Sequence, residues 1–396
     1  MKKTAILFLL VPVVLITCQK LTDPEDLGDT FALTNCTLID GTGRDPIFNA
    51  VVVIQSGRIL SAGPMRSVRI PPMTTNIDVY GATVLPGFIN AHIHNGYNRG
   101  NLEAWAQAGV TTVRDLCGPE AFALRDELAS EPTCARLVAA GPMTSVPDGY
   151  PEVPWGSGCM LPITSVEEAR QQVVRLVNEG ADVIKLAVES GESFARTIPT
   201  LSPEEAATVV QTAHEYGTVA SAHVLVASDL ERALDAGADD IAHMIMDYLS
   251  DANITRMIND GVYWVPTLEL WYRIGHGTIS TVVTNLRKFS RAGGLVALGT
   301  DYDGYDATFE LGMPMVEMEW MLEAGMSPMQ VIVAGTKNAA AVCNRQADLG
   351  TLETGKIADV LVVNGDPLED IRALTDVRLV IHDGVIIRDE RQTETD

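Results

Sequence analysis

Eight short apolar stretches recur through the middle of the chain, at residues 86–94, 110–115, 135–140, 182–186, 219–223, 240–243, 263–267 and 295–301. Each has strand length and is rich in Val, Ile, Leu and Ala, as strands buried on both faces are. Helical stretches separate several of them. Ser165 caps a helix predicted to run to Glu179, with Glu168 in the capping-box position, and Ser202-Pro203-Glu204-Glu205 opens another running to about Tyr216. Strand and helix alternating eight times over roughly 250 residues describe an α/β fold, the (β/α)8 TIM barrel, with its active site at the C-terminal ends of the strands.

The flanks read differently. Residues 31–85 and 347–396 carry short β-rich runs broken by Asp40-Gly41, Ser56-Gly57 and Asp383-Gly384. Neither flank has strands enough for a core of its own, so together they are expected to form one small β-sandwich, with the barrel at 86–346 inserted between them. Ahead of both, Lys2 and Lys3 precede an apolar run from Ala5 to Ile16 that is too short to span a bilayer. Residues 1–18 read as a secretory signal, and 19–30 as a polar, acidic tether. Leu15-Ile16-Thr17-Cys18 resembles a bacterial lipobox, with Cys18 the residue lipidated. An exported, periplasmic or cell-surface protein anchored to a bacterial membrane is the expectation. The other five cysteines show no Cys-x-x-Cys pair and read as small buried hydrophobes, with one disulfide compatible with an oxidising compartment. With 52 acidic residues against 28 basic ones, a net charge of -24 excludes a nucleic-acid partner.

Metal-capable side chains gather at the predicted strand ends: His92 and His94 on the first, Lys185 on the fourth, His223 on the fifth, His243 on the sixth and Asp301 on the eighth. Alternate side chains of a strand share a face, so His92 and His94 can hold one ion. Alone, His-x-His on an apolar strand is more often a pair of satisfied core histidines. Four of the chain's seven histidines converging on one barrel rim argue for a site. Lys185 has a plain reading as an ammonium paired with Glu189. Beside dications, however, an ammonium with a reference pKa of about 10.4 would be repelled. Carbon dioxide converts it to an anionic carbamate with two oxygens, one for each of two ions.

Several longer pieces carry a family resemblance. They are Leu85-Pro86-Gly87-Phe88-Ile89-Asn90-Ala91-His92-Ile93-His94, residues 108–115, residues 180–185, residues 334–340 and residues 349–359. With these the chain resembles the amidohydrolase superfamily, in the binuclear, carboxylated-lysine branch near imidazolonepropionase-like proteins and zinc-dependent Xaa-Pro dipeptidases. The resemblance implies an amide or ester hydrolase with two divalent metal ions, usually zinc. His92, His94 and Asp301 would hold the more buried ion and His223 and His243 the more exposed one, with carboxylated Lys185 bridging. Asp301 would take the proton of the attacking water and deliver it to the leaving amine.

Two positions depart from the family pattern: Asn90 stands where Asp is common, and Val224-Leu225 follows His223 where a polar Tyr or His is common. Arg273, His276 and Asp303 are weaker candidates for substrate contact, each equally readable as part of a solvated loop; Arg114 reads as a structural salt-bridge partner. The expected reaction is metal-dependent hydrolysis of C–N bonds in dipeptides or N-acyl amino acids. The alternatives are a hydrolase of cyclic amides, lactones or xenobiotic esters and, from another class, a non-catalytic surface binding lipoprotein. The partners expected are a small-molecule substrate and, through Cys18, a membrane; homo-oligomerisation stays open.

Overall fold

The computed structural model describes residues 30–156, 159–275, 277–304 and 307–391. The signal reading of residues 1–18, the lipidation of Cys18 and the tether before residue 30 lie outside these residues. Among the described residues, no helix is long and apolar enough to cross a membrane.

The eight barrel strands are Phe88–Ile93, Val110–Asp115, Arg136–Ala139, Ile184–Ala187, Ala220–His223, Asp240–Ala242, Tyr263–Val265 and Leu295–Val296. All pair in parallel, the first three in one sheet and the last five in another. Hydrogen bonds cross both seams between these sheets. Asp182 N donates to Ala139 O at 2.9 Å, and Ala91 N donates to Leu298 O at 2.8 Å. The second sheet also holds two strands not expected from the sequence, Met143–Ser145 and Met160–Pro162, which extend it beyond the fourth barrel strand.

Several helices open on a side-chain cap. In Pro203–Glu215, Ser202 Oγ accepts from Glu205 N and the Glu205 carboxylate accepts from Ser202 N, closing a capping box, while Ala206, Val209, Val210 and Ala213 line the buried face at helical spacing. Each fully buried Val contributes roughly 1.5–3 kcal/mol over leaving it in water. In Val166–Glu179, Ser165 accepts from Glu168 N, but the Glu168 carboxylate turns to Thr164 N rather than to Ser165 N. Half of the expected box therefore forms, and the helix keeps its cap.

Across the barrel interior, Arg114 meets Asp240 through two hydrogen bonds of 2.8 and 3.1 Å, and also donates to Ala91 O and Val342 O. Both side chains are fully buried. The guanidinium fork is thus satisfied by a carboxylate and two carbonyls at once, which is how a buried charge is tolerated.

The flanks join as a single eight-stranded sheet. Thr83–Pro86, from the N-terminal flank, pairs antiparallel with Val360–Val363, Val84 opposite Val362. Leu33, Val52, Ile54 and Val84 from one flank and Val360, Val362, Leu379 and Ile381 from the other close one core. Arg136, at the start of the third barrel strand, ties that domain to the barrel through Asp359 at 2.7 Å and through Asp383.

Candidate metal centre

His92 and His94 project from the end of the first strand, Lys185 lies within the fourth, His223 ends the fifth, and His243 follows the sixth. Asp301 follows the short eighth strand and is drawn back onto the first: Asp301 N donates to His92 O at 2.8 Å. That approach needs Gly299, where an added Cβ would stand 2.5 Å from Val265 Cγ1 and 2.9 Å from His92 N. His243 and Asp301 both have left-handed backbones, φ 77° and 58°. Side chains adopt that region at a cost of roughly 1–3 kcal/mol, and such residues concentrate at functional sites.

Asp301 is the hub. Its Oδ1 is 2.8 Å from His94 Nε2 and 3.4 Å from His92 Nε2, and its Oδ2 is 3.2 Å from His243 Nδ1. The His243 ring lies 4.6 Å from that of His92 and 4.5 Å from that of His223, centroid to centroid. Burial works against the Asp301 charge, but His92 and His243 outweigh it and hold the carboxyl well below the usual carboxylate range. Burial lowers His92, His223 and His243, so they stand neutral with lone pairs free. It acts against the His94 cation too, yet the hydrogen bond and charge of Asp301 leave that imidazole raised. Lys185 is pushed down to about 7 by burial, against the pull of Asp240.

The donor set itself tests whether divalent ions fit. Both nitrogens of His92, both of His223 and Lys185 Nζ are buried without a hydrogen-bond partner. Orphaned buried polar atoms are costly and scarce in folded proteins. The imidazoles among them are of a residue type that ligates zinc, and His92, His243 and Asp301 already bring one donor atom each within 4.8 Å of the others. The residues fit the ions.

The surroundings separate what the sequence suggested from what it missed. Asn90 braces the eighth-strand loop, donating to Thr300 Oγ1 at 2.9 Å and accepting from Thr300 N. Lys185 makes no pair with Glu189. Arg273 is occupied by Glu269, four residues before it, through bonds of 2.9 and 2.6 Å; Asp303 accepts from Asn95 Nδ2 at 2.9 Å. His276 lies outside the described residues. Missed were Thr267, whose hydroxyl is 3.2 Å from His243 Nδ1, and Glu317, fully buried, which accepts from Glu269 N at the start of helix Leu268–Ile274. Also missed was Tyr150, stacked on His223 at 3.8 Å. Its loop is pinned by a Cys117–Cys159 disulfide, the one bridge the composition left open, while Cys36, Cys134 and Cys343 are buried and free.

Residues 83–387 match the model of the amidohydrolase family. The chain is 28% identical to the ochratoxinase of Aspergillus niger over 87% of this chain and 83% of that protein. It is 24% identical to the imidazolonepropionase of Symbiobacterium thermophilum over 78% of this chain and 82% of that one. Among solved structures it is similar to a Xaa-Pro dipeptidase with bound methionine, with a TM-score of 0.77 and 25% identity over 90% of this chain and 99% of the other.

Proposed function

This chain belongs to the amidohydrolase family, whose members act on carbon–nitrogen bonds, and from that premise we propose that it hydrolyses the amide bond of dipeptides or N-acyl amino acids at a centre of two divalent ions. His92, His94 and Asp301 would hold one ion, His223 and His243 the other, and Lys185, as its carbamate, would bridge them. The observation that carries the reading is the set of buried, unpartnered donor atoms on His92, Lys185 and His223. Bound there, divalent ions supply a water acidic enough to ionise near neutral pH and a Lewis acid for the scissile carbonyl.

The chain's own groups do the rest. Asp301, ionised and clasped by His94, accepts the water proton on its carboxylate and hands it to the leaving nitrogen, which departs as an amine. Lys185, held near the neutral amine by burial, can attack carbon dioxide: the N–C bond forms, a proton leaves, and an anionic carbamate results. Tyr150 covers one face of His223 and keeps water from it. Relatives named ochratoxinase and Xaa-Pro dipeptidase support the amide substrate class. Export to an oxidising compartment is part of the same proposal; the Cys117–Cys159 disulfide supports it alongside the N-terminal sequence.

The occupation of Arg273 by Glu269 favours a second reading, in which the substrate lacks a free carboxylate and is a cyclic amide, lactone or ester. Metal content and turnover of dipeptides, N-acyl amino acids and lactones, measured on wild type and Asp301→Asn, test both. Two ions per chain with C–N bond turnover that falls at least about 100-fold in Asp301→Asn are expected. A wild type that takes up no ion, or an Asp301→Asn of undiminished turnover, overturns the mechanism; ester-only turnover favours the second reading.

A further inference from the structure

Glu189 stands two residues beyond the fourth barrel strand and has no task in the ligand set above. It is 1% exposed. One carboxylate oxygen is clamped by its own loop: Oε1 accepts from Gly191 N at 2.8 Å and from Ser193 Oγ at 2.9 Å. The clamp leaves the other oxygen aimed at the centre. Oε2 is buried without a hydrogen-bond partner, 3.9 Å from His223 Nε2, which is likewise buried without one.

That separation is too long for a hydrogen bond. Left as they stand, an unsatisfied carboxylate oxygen and an unsatisfied imidazole nitrogen would each cost roughly 1–3 kcal/mol. Zinc bonds to a carboxylate oxygen and to an imidazole nitrogen are each about 2.0–2.2 Å, so one ion spans a gap of up to about 4 Å with the two atoms on nearly opposite sides, and tetrahedral binding would draw them together to roughly 3.4 Å. A proton cannot bridge that gap and a dication can. Burial pushes the Glu189 carboxyl up to about 7, and the donors from Gly191 and Ser193 work against that in favour of the ionised form, the one that ligates.

We propose that Glu189 is a ligand of the second divalent ion, alongside His223; the proposal rests on the two-ion reading. Its anionic oxygen would offset the charge of that ion, to which the histidines alone bring none. It acts on retention of the second ion and leaves the site of His92, His94 and Asp301 intact.

The test is metal affinity of the purified full chain, stripped with a chelator and titrated with zinc or cobalt alone against a chromophoric competitor. Wild type should show two ions. In Glu189→Gln the weaker of the two affinities should fall by at least 10- to 100-fold, the stronger should hold, and the visible spectrum of the second cobalt should change. Ser193→Ala, which removes one of the two donors of the clamp and keeps the carboxylate, should weaken the same ion severalfold and keeps the proposal testable if Glu189→Gln fails to fold. Wild-type affinities and spectrum in Glu189→Gln, or in a folded Ser193→Ala, would overturn the assignment. A wild type that binds a single ion would instead overturn the two-ion reading, and this assignment with it.

Discussion

Replacing Glu317 by Gln should change how stability depends on pH. Glu317 is fully buried, accepts from Glu269 N at 2.7 Å through Oε2, and leaves Oε1 without a partner. Burial pushes its carboxyl up from 4.5 to about 8, with the nearby charges of Glu269 and Asp301 adding to the effect and the backbone N–H groups of Glu269 and Leu268 opposing it. Between those two values the folded protein holds a proton that the unfolded chain has released, so stability falls as pH rises through the window. The group's contribution is intact below about 4.5 and gone above about 8. A shift of roughly 3–4 units at about 1.4 kcal/mol each makes the full effect several kcal/mol. Gln keeps a carbonyl for the Glu269 N–H and cannot ionise. Urea midpoints of the metal-stripped protein at pH 5, 6, 7, 8 and 9 measure the difference. The two proteins should lie within about 1 kcal/mol of each other at pH 5, with the variant ahead by a few kcal/mol at pH 9. Divalent ions should shrink the gap, since they offset the Asp301 charge that contributes to it. Parallel curves across the whole range would refute the reasoning, because they would mean the carboxylate ionises in the folded protein as freely as in the unfolded one.

Arg114→Met leaves Asp240 buried with only the Ser221 hydroxyl, at 2.7 Å, for company, and should destabilise the barrel by roughly 3–5 kcal/mol in urea at neutral pH. A loss under about 1 kcal/mol would mean that water replaces the guanidinium. Gly299→Ala drives a methyl into Val265 and the His92 backbone and should cost roughly 1–3 kcal/mol while weakening the ion held by His92. Unaltered metal affinity in a destabilised Gly299→Ala would show that the first strand yields without moving its histidine.

Much of this architecture is legible in the residues because it rests on periodicity. The alternation of strand and helix locates the rim, and the parity of His92 and His94 places both on one face. The capping box at Ser202 and Glu205 marks a helix start to the residue. What was not legible depends on tertiary approach. Met143–Ser145 and Met160–Pro162 are three residues each, too short for a period to show. The left-handed turns at His243 and Asp301 are imposed by the loops that carry them, and neither residue type announces them. Tyr150 reaches His223 over more than 70 positions of chain, held by a disulfide whose pairing no spacing revealed. Arg273 is the exception: Glu269 stands four residues before it in a helix, the spacing of an ion pair, which the residues themselves display. The Asn90 departure has a plain outcome, since the amide both donates to and accepts from Thr300, which a carboxylate could do only when protonated.

The sheet shared by the two flanks has a consequence for how the molecule is made. Thr83–Pro86 waits for Val360–Val363, the strands Val377–His382 and Val385–Asp389 come later still, and Arg136 finds Asp359 and Asp383 only then. Three of the eight strands therefore do not exist until the last tenth of the chain has been synthesised. Contacts of such sequence separation are slow to form. The first domain begun is the last completed, and a chain leaving the ribosome carries an unfinished edge for nearly its whole length.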